Sequence, residues 1–227
     1  MVNVLSHPAA GTKALLFGPQ ALAFDNDAAG QLRATLLNTP DFRWVLKAIS
    51  ELPTYWDSLS RAIPALQPFP GLKLLDDFNN WLKTGQFKEA TFPLPNIILT
   101  PLVVITHLTQ YSRFLEIIQP GSLGGQDVHA SFKRNTETLG LCTGLLSATA
   151  VSCSADGFQL QHYGSVAVRL AMVIGALVDA QDSSNGPHGG SKAFSVAWNT
   201  VESGVEMAEI LKGFPEVRIF NNPHDCC

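Results

Sequence analysis

The sequence predicts an α/β fold, in which strands and helices follow one another along the chain. A short apolar run, Lys13–Phe17, ends at a Gly-Pro pair, which is typical of a buried strand that leads into a tight turn. A second strand ends near Gly140 in a glycine-containing turn, and an apolar helix follows it. Elsewhere, apolar residues recur at three- and four-residue spacing. The order of strand, helices, strand and helix therefore favours α/β over an all-α fold.

Each element has its own signal. Residues 1–12 are rich in small residues and are predicted to form a loose N-terminal segment. Asp41 is a plausible N-cap for the second helix, and Pro101 is tolerated in the first turn of the fourth. The predicted helices are Ala28–Leu37, Phe42–Leu52, Leu72–Leu82, Thr100–Ile118, Leu145–Val151, Val166–Ala180 and Phe194–Leu211.

The predicted connections are rich in proline and glycine. Four prolines between Pro53 and Pro70 indicate a looping segment with short helical pieces. Phe92–Pro95 is predicted to be a connector, and Gly121–Gly125 and Ser183–Ser191 are predicted to be flexible surface loops. We find no internal repeat and no low-complexity tract.

The composition excludes several classes of protein. Hydrophobic residues make up 46% of the 227 residues and charged residues 15%, so the chain can bury a sizeable core and is not disordered. The formal net charge is −4, with no basic block or basic helix face, so we expect no nucleic-acid partner. The length fits one domain, or a large and a small subdomain.

The cysteines and the apolar runs indicate the compartment. The four cysteines show no C-x-x-C spacing, which argues against a disulfide framework or a zinc site; they are Cys142, Cys153, Cys226 and Cys227. Cys153 is expected to be a small buried residue. The most apolar stretch, Ile97–Ile105, is about half a membrane span, and Pro101 interrupts it. With no secretory signal in view, we expect a reduced, cytoplasmic protein without a membrane partner.

The most informative motif is Gly140-Leu-Cys142-Thr-Gly144, a cysteine form of the G-x-S-x-G elbow. A nucleophile on a tight strand-to-helix turn needs small residues two positions away on either side, because the crossing backbones would otherwise clash. The first amides of the following helix favour a thiolate and stabilise an anion. Thr143 N–H would be the first oxyanion donor, and Gly18-Pro19-Gln20 the best source of a second. Alone, the motif also fits a buried cysteine in a glycine-containing turn.

Beyond the elbow, the chain contains separated motifs, which are Phe17-Gly-Pro-Gln20, Thr100–Tyr111, Thr138–Ala148, Tyr163–Ala171 and Gly175–Asp182. In residues and in order, these motifs resemble the starter-unit acyl-carrier-protein transacylase (SAT) domain of fungal non-reducing polyketide synthases. The similarity extends from about residue 13 to 213. The resemblance implies a malonyl-transacylase-like fold, related in outline to α/β-hydrolases, with a mainly parallel sheet flanked by helices.

The resemblance also implies an activity. Cys142 would take a starter acyl group from acyl-CoA as a thioester and pass it to the phosphopantetheine thiol of an acyl carrier protein, with no cofactor or metal bound to the chain. Thr143, Gln20, Gly140 and Gly144 would build the oxyanion turn. Malonyl-type relatives hold a substrate carboxylate with an arginine after the nucleophile, and Arg169 lies in roughly that region.

The chain departs from the family pattern in three places. Pro19 replaces an aspartate of the family's turn. We find no counterpart of the Tyr-His-Ala-Pro-His-like segment that carries the family's general base, and residues 214–227 do not resemble the family. We therefore expect a chain truncated before its catalytic histidine and lacking the ferredoxin-like subdomain. The alternatives for a base are His107, His129 and His224, and none of them matches the motif. His107 is expected to lie on a helix, where Tyr111 could share its face. His224 lies close to a terminus.

Two other functions stay open at this level. A chain without its base could be a non-catalytic remnant that docks on a carrier protein or a synthase. It could also be a thioesterase or another hydrolase that uses the same elbow, with an acid and a histidine downstream of Cys142. The candidates for those two roles are Asp179, Asp182, His188 and His224, and no spacing among them favours that reading.

Overall fold

The computed structural model describes residues 2–6, 13–19, 24–118, 126–134, 136–184 and 200–213. The chain divides into two compact units, Met1–Ser191 and Lys192–Cys227. The described part of the first unit contains β1 (Val2–Ser6), β2 (Lys13–Phe17), α1 (Asn26–Asn38), α2 (Arg43–Ala62), α3 (Gly71–Thr84), α4 (Asn96–Ile118), α5 (Gln126–Lys133), β3 (Thr136–Gly140), α6 (Gly144–Cys153) and α7 (Gly157–Ser184). Short 3-10 helices at Pro40–Phe42 and Pro64–Leu66 precede α2 and α3. The second unit contains α8 (Val201–Leu211).

The described strands form one small sheet in the order β1-β2-β3. β2 pairs in parallel with β3, with Phe17 opposite Gly140, and antiparallel with β1, with Phe17 opposite Val2. The α/β class is confirmed, and β2 has the predicted bounds. Val2–Ser6 departs from the predicted loose segment, because Val-Asn-Val-Leu pairs its backbone with β2 along its whole length. Five residues were too few to show strand periodicity in the sequence.

Three helices, α2, α4 and α7, extend four or more residues beyond their predicted bounds. α2 continues through Pro53 to Ala62, so the predicted loop from residue 53 is wrong for its first half. Its continuation is stabilised by Trp56, which is buried and packs so closely on Gly71 at the start of α3 that a methyl group there would lie 2.3 Å from the indole. Burial of an indole outweighs the backbone hydrogen bond that a proline removes.

α4 and α7 form the centre of the helical layer. α4 is apolar on almost all sides and is correspondingly buried. It begins at Asn96, four residues before the predicted start, so Pro101 lies inside the helix. α7 begins nine residues before its predicted start, where the Asp156 side chain accepts the Gln159 N–H at 2.9 Å.

The predicted helix Phe194–Leu211 is confirmed over α8, Val201–Leu211, and has the predicted C-terminal end. Residues 194–199 lie outside the described residues. So do Gly121–Gly125, residues 185–191 and the segment 214–227. Within the described ranges, α7 is long and apolar enough over Gly157–Asp182 to span a membrane by length and composition. Part of that helix packs on α4, and core helices commonly meet the same criterion.

Candidate active site: the cysteine elbow

Cys142 lies on a sharp turn between β3 and α6. Its φ is 54°, and it is the single non-glycine residue with positive φ in the described part of the chain. Gly144 N–H donates to Leu141 O at 2.9 Å and closes the turn, while Leu141 N–H donates to Phe17 O at 3.0 Å and ties it to β2. A left-handed conformation costs a residue with a side chain about 1 kcal/mol or more. The strand, turn and helix predicted from the motif are thus confirmed as local structure.

The two glycines of the motif are required by close backbone packing. A Cβ on Gly144 would lie 2.2 Å from Phe17 O and 2.5 Å from Gly18 O, both on the β2 side. A Cβ on Gly140 would lie 2.5 Å from Leu145 Cα at the start of α6. Either methyl group would push α6 away from the sheet. The glycine spacing therefore allows the helix to start directly against the end of β2.

The Cys142 side chain is exposed, and its thiol is free. Its nearest recorded polar neighbour is Thr143 Oγ1, at 3.9 Å from the sulfur. Leu141, which precedes Cys142, and Leu145, in the first turn of α6, are 61% and 58% exposed, so the turn also presents apolar side chains to solvent. The alternative of a buried cysteine is wrong, whereas the nucleophilic role of Cys142 stays a prediction.

The amides around the turn suit an oxyanion. Leu145 N–H and Leu146 N–H donate to the carbonyls of Cys142 and Thr143, and the structure gives the Thr143 N–H no acceptor among the described residues. Gly18, which directly follows β2, lies against Gly144 through its carbonyl oxygen. Pro19 has no N–H, so a second donor on this loop must come from a neighbouring residue. Gln20, the predicted supporting residue, lies outside the described residues.

A buried polar cluster lies behind the elbow. His107 and Tyr111 of α4 share one face, as the sequence predicts, and both rings pack edge-on against Phe17. His107 Nδ1 shares a hydrogen bond of 3.1 Å with Ser147 Oγ of α6. Tyr111 Oη is 2.9 Å from His129 Nδ1, whose Nε2 is 3.1 Å from Ser154 O.

Burial governs the protonation of this cluster. It lowers the pKa of His107 from 6.5 to about 4. Burial also lowers the pKa of His129, with a smaller contribution from the Lys133 charge, against the opposing effects of the Ser154 carbonyl and Asp156. The Tyr111 pKa is raised for the same reason, so all three rings are neutral at pH 7. Their partners and burial identify His107 and His129 as core residues.

Arg169 and Cys153, two further residues singled out from the sequence, lie outside the Cys142 turn. Arg169 is half-buried on α7, where its guanidinium stacks over the Tyr55 ring of α2 at 4.5 Å and donates to Tyr55 Oη at 2.8 Å. This contact explains the position of Arg169 structurally, and its substrate role stays a prediction. Cys153 is exposed at the C-terminal end of α6, so the expectation that it is buried is wrong. His188 and His224 lie outside the described residues.

Asp179, a candidate acid for the hydrolase alternative, caps a helix. Its carboxylate accepts the Asn96 N–H at 3.0 Å and the Ile97 N–H at 2.8 Å, and also the Asn96 side-chain amide. It therefore neutralises the first amides of α4 from 83 residues away. Asp182 is exposed near the end of α7. Neither position supports a catalytic acid at the elbow.

Sequence reasoning missed Ser147. It lies five residues after Cys142 in an apolar helix and is fully buried. A hydroxyl in such a helix needs a partner when it is buried, and that requirement was the available signal. Its partner is 40 residues away on α4, which no local pattern could reveal.

The elbow presents an exposed thiol directly before the N-terminus of a helix, and comparison with known proteins identifies the family. The model of the family described as "Starter unit:ACP transacylase in aflatoxin biosynthesis" matches residues 58–220. This match covers well over half of the chain, including the elbow, and it ends seven residues beyond the predicted domain limit at residue 213. The chain belongs to the starter unit:ACP transacylase family.

Its relatives are large fungal synthases. The chain is 47% identical over 219 residues to the non-reducing polyketide synthase pigA of Monascus ruber, which covers 96% of this chain and 8% of the synthase. It is 44% identical over 214 residues to clavatol synthase claF of Penicillium crustosum, and the aligned region covers 94% of this chain and 8% of that synthase. A citrinin polyketide synthase of Monascus purpureus is 41% identical over 219 residues, with 96% and 8% covered. The chain thus spans about 8% of the length of these relatives.

These findings confirm the resemblance on which the sequence analysis relies. They support starter-unit acyl transfer in polyketide biosynthesis as the class of function. The domain bounds 13–213, the malonyl-transacylase-like arrangement, the truncation and the roles of individual site residues stay predictions.

Proposed function

We propose that this chain loads a starter acyl group from acyl-CoA onto the phosphopantetheine thiol of an acyl carrier protein, through a thioester on Cys142, in polyketide biosynthesis. The observation that carries the proposal is the position of Cys142: an exposed, free thiol on a turn of positive φ, directly before the N-terminus of α6. Family membership supplies the reaction class.

The first half-reaction transfers the acyl group to the protein. The Cys142 sulfur attacks the thioester carbonyl, the C–S bond to coenzyme A breaks, and its thiol leaves with the proton that Cys142 gives up. The carbonyl oxygen carries negative charge in the tetrahedral intermediate. In this proposal, Thr143 N–H and the positive end of the α6 dipole stabilise that charge.

The second half-reaction reverses these steps with a different thiol. The phosphopantetheine thiol attacks the Cys142 thioester, and Cys142 leaves with the proton. One thioester replaces another, so the transfer is nearly isoenergetic and the protein has only to lower the barrier. The leucine side chains beside Cys142 offer an apolar surface to an aliphatic acyl chain.

A general base would accelerate both steps. His107 and His129 are poor candidates for this base, because both are buried and bonded to partners on other elements. A base that assists Cys142 therefore belongs to other residues. Without a base, we expect acyl capture to persist at a rate lower by roughly 10²- to 10⁴-fold, the usual contribution of general acid–base catalysis.

The test is a mass measurement on the intact protein. Incubation with acetyl- or hexanoyl-CoA should add one acyl mass, located on Cys142 by peptide mapping and released to a phosphopantetheinylated carrier protein. Cys142→Ala should lose the adduct, and Cys153→Ala is the matched control that should keep it, since Cys153 is also an exposed free thiol, at the opposite end of α6. Absence of an adduct with any acyl-CoA would leave a docking role, and release of free acid would indicate a hydrolase.

A further inference from the structure

His107 contacts both elements that frame the elbow. Its ring packs against Phe17, the last residue of β2, with 5.7 Å between the centroids. Its Nδ1 shares the 3.1 Å hydrogen bond with Ser147 in the first turn and a half of α6. Phe17 in turn accepts the Leu141 N–H and lies under Gly144. One imidazole therefore bridges the end of β2 and the beginning of α6.

The distance between these two elements matters for transfer chemistry. Thr143 N–H is at the start of α6, and a second oxyanion donor would lie on the loop after β2. The two donors can act together only if α6 keeps its place against Phe17 and Gly18. Hydrogen-bond donors must be held within a fraction of an ångström of the position of the developing oxyanion.

The His107–Ser147 bond is the side-chain hydrogen bond that holds the first half of α6 to another element in the described part of the chain. The far end of α6 is held separately. There, Lys133 Nζ donates to Ser154 O at 2.6 Å and to Ser152 O, and His129 Nε2 bonds Ser154 O. The helix is thus fixed at each end by a different set of contacts.

We propose that His107 and Ser147 are positioning residues for the acyl-transfer reaction, which hold the start of α6, and with it Thr143 N–H, in place against Phe17 and Gly18. The proposal rests on the proposed function for its catalytic consequence. The structural part stands separately: loss of the His107–Ser147 bond loosens the beginning of α6 and leaves its end in place. Because the imidazole is neutral at pH 7, the bond persists without a charged partner.

Two reactions of the same sulfur separate positioning from general damage. Acylation by acyl-CoA passes through an oxyanion and needs both donors, whereas alkylation by iodoacetamide needs only an accessible sulfur. In Ser147→Ala and His107→Phe, we expect acylation of Cys142 at saturating acyl-CoA to slow by roughly 10- to 100-fold. Alkylation of Cys142, followed by peptide mass spectrometry, should change by less than about twofold, since no oxyanion forms.

Matched variants control for folding. His107→Asn keeps a side-chain amide near the position of Nδ1 and should recover much of the acylation rate. His129→Gln removes a second buried histidine, at the far end of α6, and should lower stability without changing the ratio of acylation to alkylation. The double variant His107→Phe/Ser147→Ala should be acylated no more slowly than the slower of the two single variants. Each single change already removes the same hydrogen bond, so the second change has no further bond to remove.

Amide hydrogen exchange tests the structural part without any activity. Ser147→Ala should speed exchange at Leu141 and Gly144, whose N–H groups close the elbow, and His129→Gln should not. If the wild-type protein takes up no acyl group, the proposed function fails, and the exchange result still decides whether the bond positions α6. Equal loss of acylation and alkylation, or unchanged exchange at the elbow in Ser147→Ala, would overturn the proposal.

Discussion

Gly144 at the elbow and Gly175 in the helical core both pack closely against a backbone carbonyl of another element. A Cβ on Gly144 would lie 2.2 Å from Phe17 O, and a Cβ on Gly175 would lie 2.1 Å from Asn96 O. At the core site the adjacent amides of Asn96 and Ile97 are paired with the Asp179 carboxylate. At the elbow the adjacent Cys142 is strained and exposed, and the Thr143 N–H has no acceptor among the residues that the structure describes. The same close packing stabilises the fold at one place and presents a reactive group at the other.

The largest expected effect distinguishes the two glycines by activity. Gly144→Ala should slow acylation of Cys142 by about 10²- to 10³-fold, because the methyl group displaces α6 and its oxyanion donor from β2. Gly175→Ala should cost about 1–3 kcal/mol of unfolding free energy through overpacking, while the folded protein keeps its acylation rate. Single-turnover acylation and urea unfolding measure the two quantities.

Gly30→Ala is the control for this pair. Gly30 is exposed within α1, and no atom lies within 4 Å of an added Cβ. The change should raise stability by up to about 1 kcal/mol and leave acylation unaltered. If Gly144→Ala acylates as fast as Gly30→Ala, the close approach of α6 to β2 has no role in the chemistry.

Acidic pH should lower the free energy of unfolding through the buried histidines of the helical core. An unfolded His107 takes up its proton near pH 6.5 and the folded one near pH 4, so the unfolded state binds more protons between these values. The contribution of His107 to stability is complete above pH 6.5 and falls by about 3 kcal/mol as the pH drops to 4. His129 acts in the same direction. Unfolding free energies from urea titrations at pH 7, 5.5 and 4 measure this loss.

The matching variant is His107→Asn, which cannot titrate and should flatten the pH dependence. His162→Gln changes an exposed histidine of α7 and should leave the dependence as it is in the wild type. A stability that is independent of pH in the wild-type protein would contradict the burial of neutral histidines behind the elbow.

The smallest expected effect measures the strain at Cys142 itself. Cys142→Gly should be more stable than Cys142→Ala by about 1 kcal/mol, because glycine adopts a φ of 54° without the penalty that Ala retains. Both variants lack the thiol and should take up no acyl group. Thermal or urea unfolding of the two proteins, side by side, gives the difference; an Ala variant as stable as the Gly variant would show that the turn is unstrained.

Local patterns in the sequence predicted much of the site. The run Lys13–Phe17 and the spacing of Gly140 and Gly144 around Cys142 were sufficient for β2, the turn and the start of α6, because these features depend on nearest neighbours and on backbone sterics. The separated motifs also indicated the family, which the comparisons confirm.

Other elements depended on distant partners. The true start of α4 at Asn96 depends on a cap from Asp179, 83 residues later. The passage of α2 through Pro53 depends on Trp56 packing against Gly71. The start of α7 was missed for a different reason, since Asp156 and Gln159 form a local capping pattern that could have been recognised.

The sequence by itself determined that a cysteine follows a strand, that glycines flank it and that a helix begins at once, since covalent spacing and steric exclusion act within a few residues. Only the tertiary structure determined which distant residues form the hydrogen bonds that support the turn and the helical core. The pairing of His107 with Ser147 and of Asp179 with the start of α4 joins residues 40 and 83 positions apart, and only the packing of α4 against α6 and α7 brings them within hydrogen-bonding distance.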